Sequence, residues 1–419
     1  MSATVTPVES RMRLLPLVAL LSAHGLSLAG NAITMVVVPL YVLHDTGSVF
    51  ATGVAGVFAT VPMIVGGALG GVVVDRLGFR RAAIAADLAS GVTVLAIPVL
   101  AATVGLPFWA LLALVFLSGL LDTPGNTAKA ALVPDLAELC EVKLTRATGA
   151  AGAISRSAMM VGASVAALAV VWLGPLNALL LDAATFAISA ALIWGGVSRE
   201  VTGTADEDLS ESAAGFWREF LDGIRYLART PIIRNVVLMV VITNCFDAAG
   251  TLVLKPVYAK TITPDGELFG IMLACFAFGA LSGAGLFGWF GHRLPRRATL
   301  VICFVLCGPP PYIAMALDVP VPVLLSVFVF SGLLAGSINP LLDTVLFEQL
   351  PRAMRARVLG ALTTGVTAGM PLGALLGGAA VEAFSLVPVL VFIAVAYGLV
   401  TLAPLVGKSW KGLDATPAA

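Results

Sequence analysis

The sequence predicts an all-α membrane protein of twelve transmembrane helices, arranged as two pseudo-symmetric six-helix bundles. Three observations predict it: the composition, the spacing of the apolar runs and an internal repeat. Of the 419 residues, 59% are hydrophobic and only 11% are charged, whereas a soluble globular domain carries about a quarter charged residues. Lipid must therefore be most of this chain's solvent. A hydrocarbon layer about 30 Å thick takes roughly 20 apolar residues per helix, so the chain accommodates about twelve spans with short connections and little else.

Apolar runs bounded by Gly, Pro or charge fall at 14–43, 49–74, 80–103, 107–133, 145–173 and 175–197, and again at 232–257, 267–290, 298–317, 321–347, 357–384 and 386–406. Runs of this length are helices, because in lipid a helix satisfies its own backbone polar groups. The first run follows Arg11 and Arg13 as a signal peptide would, but its length and the lack of a small-residue cleavage site predict a retained first helix. The expected organisation is an N-terminal bundle over 1–197, a linker over 198–230 and a C-terminal bundle over 231–419. The linker begins acidic (Asp206, Glu207, Asp208, Glu211) and turns basic. Its second part sets Phe216, Phe220, Ile224 and Leu227 opposite Arg218, Arg225 and Arg229, the spacing either of an amphipathic helix at the headgroup boundary or of an ordinary solvated linker helix.

Orientation follows from loop Lys and Arg, which favour the cytoplasmic side. With the N-terminus inside, the basic loop residues fall in the cytoplasm, only Lys255 and Lys260 fall outside, and Lys129 and Arg156 are assigned to helices. An odd number of spans would scramble this asymmetry, so both termini are expected inside. The net charge is zero and no basic block resembles a nucleic-acid footprint. The five cysteines, Cys140, Cys245, Cys275, Cys303 and Cys307, lack metal-ligand spacing and read as packing residues.

The halves repeat. Gly71-Val-Val-Val-Asp75-Arg76-Leu77-Gly78-Phe79-Arg80-Arg81 recurs as Gly288-Trp-Phe-Gly-His292-Arg293-Leu294-Pro295-Arg296-Arg297. Ser118-Gly119-Leu120-Leu121 with Asn126 recurs as Ser331-Gly332-Leu333-Leu334 with Asn339, and Gly149 with Gly162 recurs as Gly360 with Gly373. Parallel six-helix halves joined by a linker are an arrangement in which substrate sits at the repeat interface near the bilayer midplane.

These residues resemble the major facilitator superfamily, whose signature loop between helices two and three is similar to Asp75-Arg76-Leu77-Gly78-Phe79-Arg80-Arg81. Ala85-Ala86-Asp87-Leu88, Leu181-Asp182-Ala183-Ala184-Thr185-Phe186 and Arg355-Ala356-Arg357-Val358 resemble the drug and siderophore exporter branch that includes macrolide efflux proteins. The chain departs from that branch twice. Gly30-Asn31 stands where a first-helix acid often follows a glycine, and Gly162-Ala163 stands in place of the fifth-helix Gly-Pro, although Met370-Pro371-Leu372-Gly373 resembles that motif's counterpart in helix eleven. The resemblance implies that Gly71, Asp75, Arg76, Gly78, Arg80 and Arg81 form a cytoplasmic gate, with Asp75 docked at the N-terminus of helix eleven, where the dipole favours a carboxylate. It also implies that helices one, four, seven and ten line a central cavity.

An ionisable side chain at the centre of a membrane helix costs about 2.5 to 3.5 kcal/mol on insertion scales, so it needs a partner, a cavity or a proton. Asp122, Asp247 and Asp343 lie in cavity-lining helices and are the proton-coupling candidates, Asp122 first and Asp247 second. The alternative for each is a helix-packing carboxylate bonded to Ser, Asn or Arg. Asp182, part of a recurring family segment, reads as structural. Arg156 is the natural countercharge for one of the acids, and Lys129 is expected to snorkel to the cytoplasmic surface. His24, Asn31, Asn126, Arg156, Asn244 and Asn339 are the substrate-cavity candidates.

Neither a nucleotide loop, a metal cluster nor a nucleophile with a matched base is visible, so no cofactor or metal is expected and the energy source is a gradient. One proton crossing about 100 mV releases about 2.3 kcal/mol, enough for a concentration ratio of roughly fifty for a neutral solute. The sequence thus predicts a monomeric secondary transporter of the bacterial cytoplasmic membrane, exporting small amphiphilic molecules by alternating access in exchange for protons. Uptake or facilitated diffusion of a metabolite is the alternative, for which Asn31 in place of an acid is the hint. A membrane-embedded sensor or enzyme would need reactive residues clustered at a headgroup surface.

Overall fold

The computed structural model describes residues 7–198, 225, 229–263, 266–290, 295–349, 355–406 and 410. Twelve helices long and apolar enough to cross a membrane occur among them. These are α1 (Pro7–Thr46), α2 (Val49–Leu77), α3 (Phe79–Thr103), α4 (Phe108–Leu139), α5 (Leu144–Leu173) and α6 (Pro175–Gly196). After the linker come α7 (Pro231–Ile262), α8 (Glu267–Phe290), α9 (Arg296–Ala316), α10 (Val321–Gln349), α11 (Arg355–Phe384) and α12 (Leu386–Thr401). Among the described residues there is no strand. The predicted amphipathic segment, from Phe216 to Leu227, lies outside the described residues except for Arg225.

Large apolar side chains cover the surface: Trp109, Trp172 and Trp194 are 72%, 81% and 66% exposed. In water such a surface would aggregate; in a bilayer it is the lipid-facing side. The chain divides into two compact units, Met1–Val38 with Phe58–Leu209, and Pro39–Val57 with Ser210–Ala419. The α1–α2 corner thus groups with the C-terminal helices.

In the first unit α3 packs on α4 and α6, and Leu20, Ala83, Leu132, Leu136 and Ile193 form a buried core. Gly162 of α5 lies so close to α1 that a Cβ there would run into the Ala29 backbone. In the second unit Gly373 of α11 meets the Cys245 backbone of α7 in the same way. The sequence repeat that pairs Gly162 with Gly373 therefore pairs equivalent helix contacts. A second repeat has the same physical meaning. Arg80, at the start of α3, is buried and donates to the carbonyls of Trp194 (2.6 Å) and Val197 (2.7 Å) at the end of α6. Arg297, at the start of α9, donates to those of Pro404 (2.7 Å) and Leu405 (3.1 Å) just beyond α12. In each half an arginine satisfies the orphan carbonyls that end the sixth helix.

Helix α8 packs closely on α10. Gly279 and Gly283 face Val329 and Leu333, while Gly332 and Gly336 face Phe276 and Ala280, and at all four a Cβ would strike the opposing backbone. Lipid supplies no hydrophobic force between helices, so close backbone approach through small residues supplies the attraction instead. Gly283→Ile is expected to abolish folded protein, read as loss of the monodisperse peak after detergent extraction. A normal peak would show that this seam is dispensable.

Candidate functional site

The first unit holds a chain of polar side chains inside its helices. Asp122, only 8% exposed, accepts hydrogen bonds from Asn31 Nδ2 of α1 and from Asn126 Nδ2 one turn along α4, each 2.7 Å long. Position 31, where the family resemblance led one to expect an acid, therefore touches an acid carried by α4 instead. The other carboxylate oxygen, Asp122 Oδ1, and the amide oxygen Asn126 Oδ1 are buried without a hydrogen-bond partner. Asp182 of α6 is fully buried and accepts from Thr34 of α1 and Thr185, the room for it made by Gly30. His24 Nε2 lies 3.1 Å from Ser155 Oγ of α5.

Lys129 corrects the sequence reading. Its expected place was the cytoplasmic surface, reached by snorkelling; it is 1% exposed and forms a 2.7 Å ion pair with Asp87 of α3. Asp87 also accepts from Ser189 Oγ of α6 at 2.6 Å. Lys129 stands two helical turns from Asp122 on α4, a spacing that puts both on one face. Asp87 engages the lysine and leaves Asp122 with neutral amide donors. A carboxyl whose hydrogen-bond donors are uncharged can be protonated without stranding an ion-paired cation. Two opposite charges in separate apolar runs were the signal for this pair, and the Ala85-Ala86-Asp87-Leu88 segment contained one of them.

The second unit places Asp247 of α7 in an exposed position, with Tyr397 Oη of α12 donating to its Oδ2 at 3.3 Å. That tyrosine is seated by a break in α9, where the run Gly308-Pro309-Pro310-Pro311 splits the helix and Gly308 leaves room for the Tyr397 ring. Tyr312 Oη donates to the Phe246 carbonyl at 3.1 Å. Lys255 is a half-buried part of α7.

The remaining candidates are dispersed. Asn244 is half-buried in α7 and Asn339 is exposed on α10. Gly78 makes the turn between α2 and α3 at φ +75°, a left-handed geometry that favours glycine. Arg81 is exposed, next to the buried Arg80. Gly71, Asp75, Arg76, Arg156 and Asp343 lie within helices, with side chains outside the described residues. Among the described residues no group of three His, Cys, Asp or Glu could hold a metal ion.

The Major Facilitator Superfamily model matches residues 20–262 and 237–409. The chain belongs to that superfamily. It is a multi-pass membrane transporter, not an enzyme. It is 29% identical over 374 residues to the multidrug efflux pump Tap of Mycolicibacterium fortuitum, covering 88% of this chain and 90% of that one. The Tap pump of Mycobacterium tuberculosis (strain ATCC 25618 / H37Rv) is 26% identical over 374 residues, with 88% of each chain covered. Among solved structures, the nucleoside transporter NupG superposes with a TM-score of 0.73 at 13% identity, covering 97% of this chain and 100% of that one. A D-xylose-proton symporter superposes at 0.70 with 14% identity, covering 96% and 98%. At those identities the structural likeness speaks for the fold alone.

Proposed function

We propose that the protein exports small amphiphilic molecules, drugs or natural products, from a bacterial cytoplasm in exchange for protons, working as a monomer with both termini cytoplasmic. The direction is supported by relatives named as multidrug efflux pumps that match along most of the chain. Asp122 carries the coupling half of the proposal. One of its oxygens holds two amide hydrogen bonds while the other is buried and unpartnered. Buried acceptors lacking a donor are uncommon and mark places where a proton, water or ligand belongs. A proton on Asp122 Oδ1 removes the negative charge from the apolar interior and turns that oxygen into a donor, so loading and unloading it accompanies the change of access.

On this reading the halves are those over 1–197 and 231–419, transport proceeds by alternating access, and the segment from Gly71 to Arg81 closes the cytoplasmic side. Asp247 and Asp343 are the further carboxyls that such a cycle could use, and His24, Asn31, Asn126, Arg156, Asn244 and Asn339 the polar groups that substrate could meet. Asp122→Asn is expected to return drug accumulation in an efflux-deficient host to the level of cells without the transporter, at unchanged membrane abundance. Wild-type export should collapse on adding an uncoupler. Uncoupler-sensitive export by the variant would remove Asp122 from the role, and greater drug accumulation with the wild type would reverse the direction to uptake.

A further inference from the structure

Helix α7 changes pitch part-way along. Over Gly250–Leu254 it is a π-helix, and the Lys255 N–H closes onto the Gly250 carbonyl five residues back. The local sequence explains the widened turn. Pro256 has no N–H for the carbonyl four residues before it, and Gly250 has no Cβ to collide with the Tyr312 hydroxyl packed against it. In an unbroken α-helix, at about 100° per residue, Asp247 and Lys255 would point about 80° apart; one inserted residue brings them to within about 20°, two turns apart on one face.

Both charges keep polar capacity in reserve. Lys255 Nζ donates to Thr251 Oγ1 at 3.1 Å and lies 5.9 Å and 5.8 Å from the ring centroids of Phe276 and Phe328. Asp247 is exposed and takes the Tyr397 hydroxyl, whose ring lies 6.0 Å from that of Phe246. None of these bonds joins the ammonium to the carboxylate. Those bonds use one of three ammonium donors and one of about four carboxylate acceptor positions. A cation and an anion are thus held apart on one helix face, flanked by aromatic rings, inside a membrane span.

We propose that Asp247 and Lys255 form a subsite for zwitterionic amphiphiles, in which Asp247 takes the ligand's cationic group, Lys255 its anionic group, and Phe246 and Phe276 flank its apolar body. A ligand of net zero charge leaves nothing uncompensated in this low-dielectric place. A net cation leaves Lys255 facing a like charge, and a net anion does the same to Asp247. The subsite rests on the reading of the chain as a carrier of amphiphiles, and it assigns Asp247 to substrate and leaves the proton to Asp122.

The test uses one ring system with three charges: rhodamine B (zwitterion), rhodamine 6G (cation) and fluorescein (anion). Binding to the full-length protein in lipid nanodiscs is read by fluorescence polarisation, with no gradient present. Wild type is expected to hold rhodamine B about tenfold more tightly than either other dye. Lys255→Met should move the preference to rhodamine 6G and Asp247→Asn to fluorescein. The double variant removes both charges together, and should bind all three dyes without ranking them by charge. An unchanged ranking in the variants overturns the proposal, as does a double variant that is helical by circular dichroism and binds none of the dyes. If a single variant does not fold, the double variant decides alone, and a retained wild-type ranking there is the overturning result. Loss of drug export in cells alongside the expected dye ranking would sink the exporter reading and leave the subsite standing.

Discussion

Lys129→Met and Asp87→Asn are each expected to cost about 3–5 kcal/mol of stability, whereas the double variant should lie close to wild type. Both side chains are fully buried and 2.7 Å apart, so each single change leaves an uncompensated charge, or a group forced neutral, inside a helix bundle. Replacing both removes the stranded charge together with the attraction, which for a buried pair often comes out even. Ser189 sharpens the asymmetry between the two singles. In Lys129→Met its hydroxyl still donates to the Asp87 carboxylate, so the remaining charge keeps one partner. In Asp87→Asn the lysine keeps an amide oxygen as acceptor but has no countercharge there. Unfolding of the detergent-solubilised protein, followed by circular dichroism, measures the cycle. Additive losses in the double variant would mean that the two side chains act independently, contrary to their geometry.

Much of this fold was legible because lipid leaves a chain few choices. Apolar runs of about twenty residues can satisfy their backbones as helices, and the boundaries read from Gly, Pro and charge place all twelve. The repeat was legible for a steric reason: Gly162 and Gly373 recur because each lets two backbones touch. Individual side chains were harder. Lys129 lies in the C-terminal half of α4 and carries a long flexible stem, and its partner Asp87 is distant in sequence, so their meeting depends on how α3 packs on α4. Lys255 lies near the end of an apolar run, and its spacing from Asp247 alone does not bring the two onto one face; the π-turn that does so comes from a glycine, a proline and Tyr312 acting together. Asn31 looked like a missing acid, and only the packing of α1 on α4 supplies the acid from Asp122. Spacing along one helix is readable from sequence, whereas contacts across helices need the fold.

Gly53→Ile is expected to lower export at least about tenfold, a loss of about 1.4 kcal/mol or more in driving the cycle. The α1–α2 corner is joined to α7 and α11 in the second unit by caps at two helix ends. Lys260 Nζ donates to the Leu43 carbonyl near the end of α1 at 2.7 Å, and Glu382 accepts from the Phe50 N–H in the first turn of α2 at 3.1 Å. Each charge suits the helix end it meets, and water can replace either bond when the corner lets go. Between the caps Gly53 and Gly378 touch, and a Cβ on Gly53 would stand 2.6 Å from the Ala374 carbonyl oxygen and 3.2 Å from the Gly378 Cα. Those atoms are backbone and cannot swing aside. If the corner parts and recloses in each transport cycle, as the alternating-access proposal requires, isoleucine blocks the reclosing step and leaves the parted state accessible. Ala55, fully buried in wild type, reports on it. Ala55→Cys, with the native cysteines replaced by alanine, should react slowly with a membrane-impermeant maleimide, and rapidly once Gly53→Ile is added. Normal export together with equal protection of that cysteine would mean that the corner is a fixed part of the second unit and that the moving contact lies elsewhere.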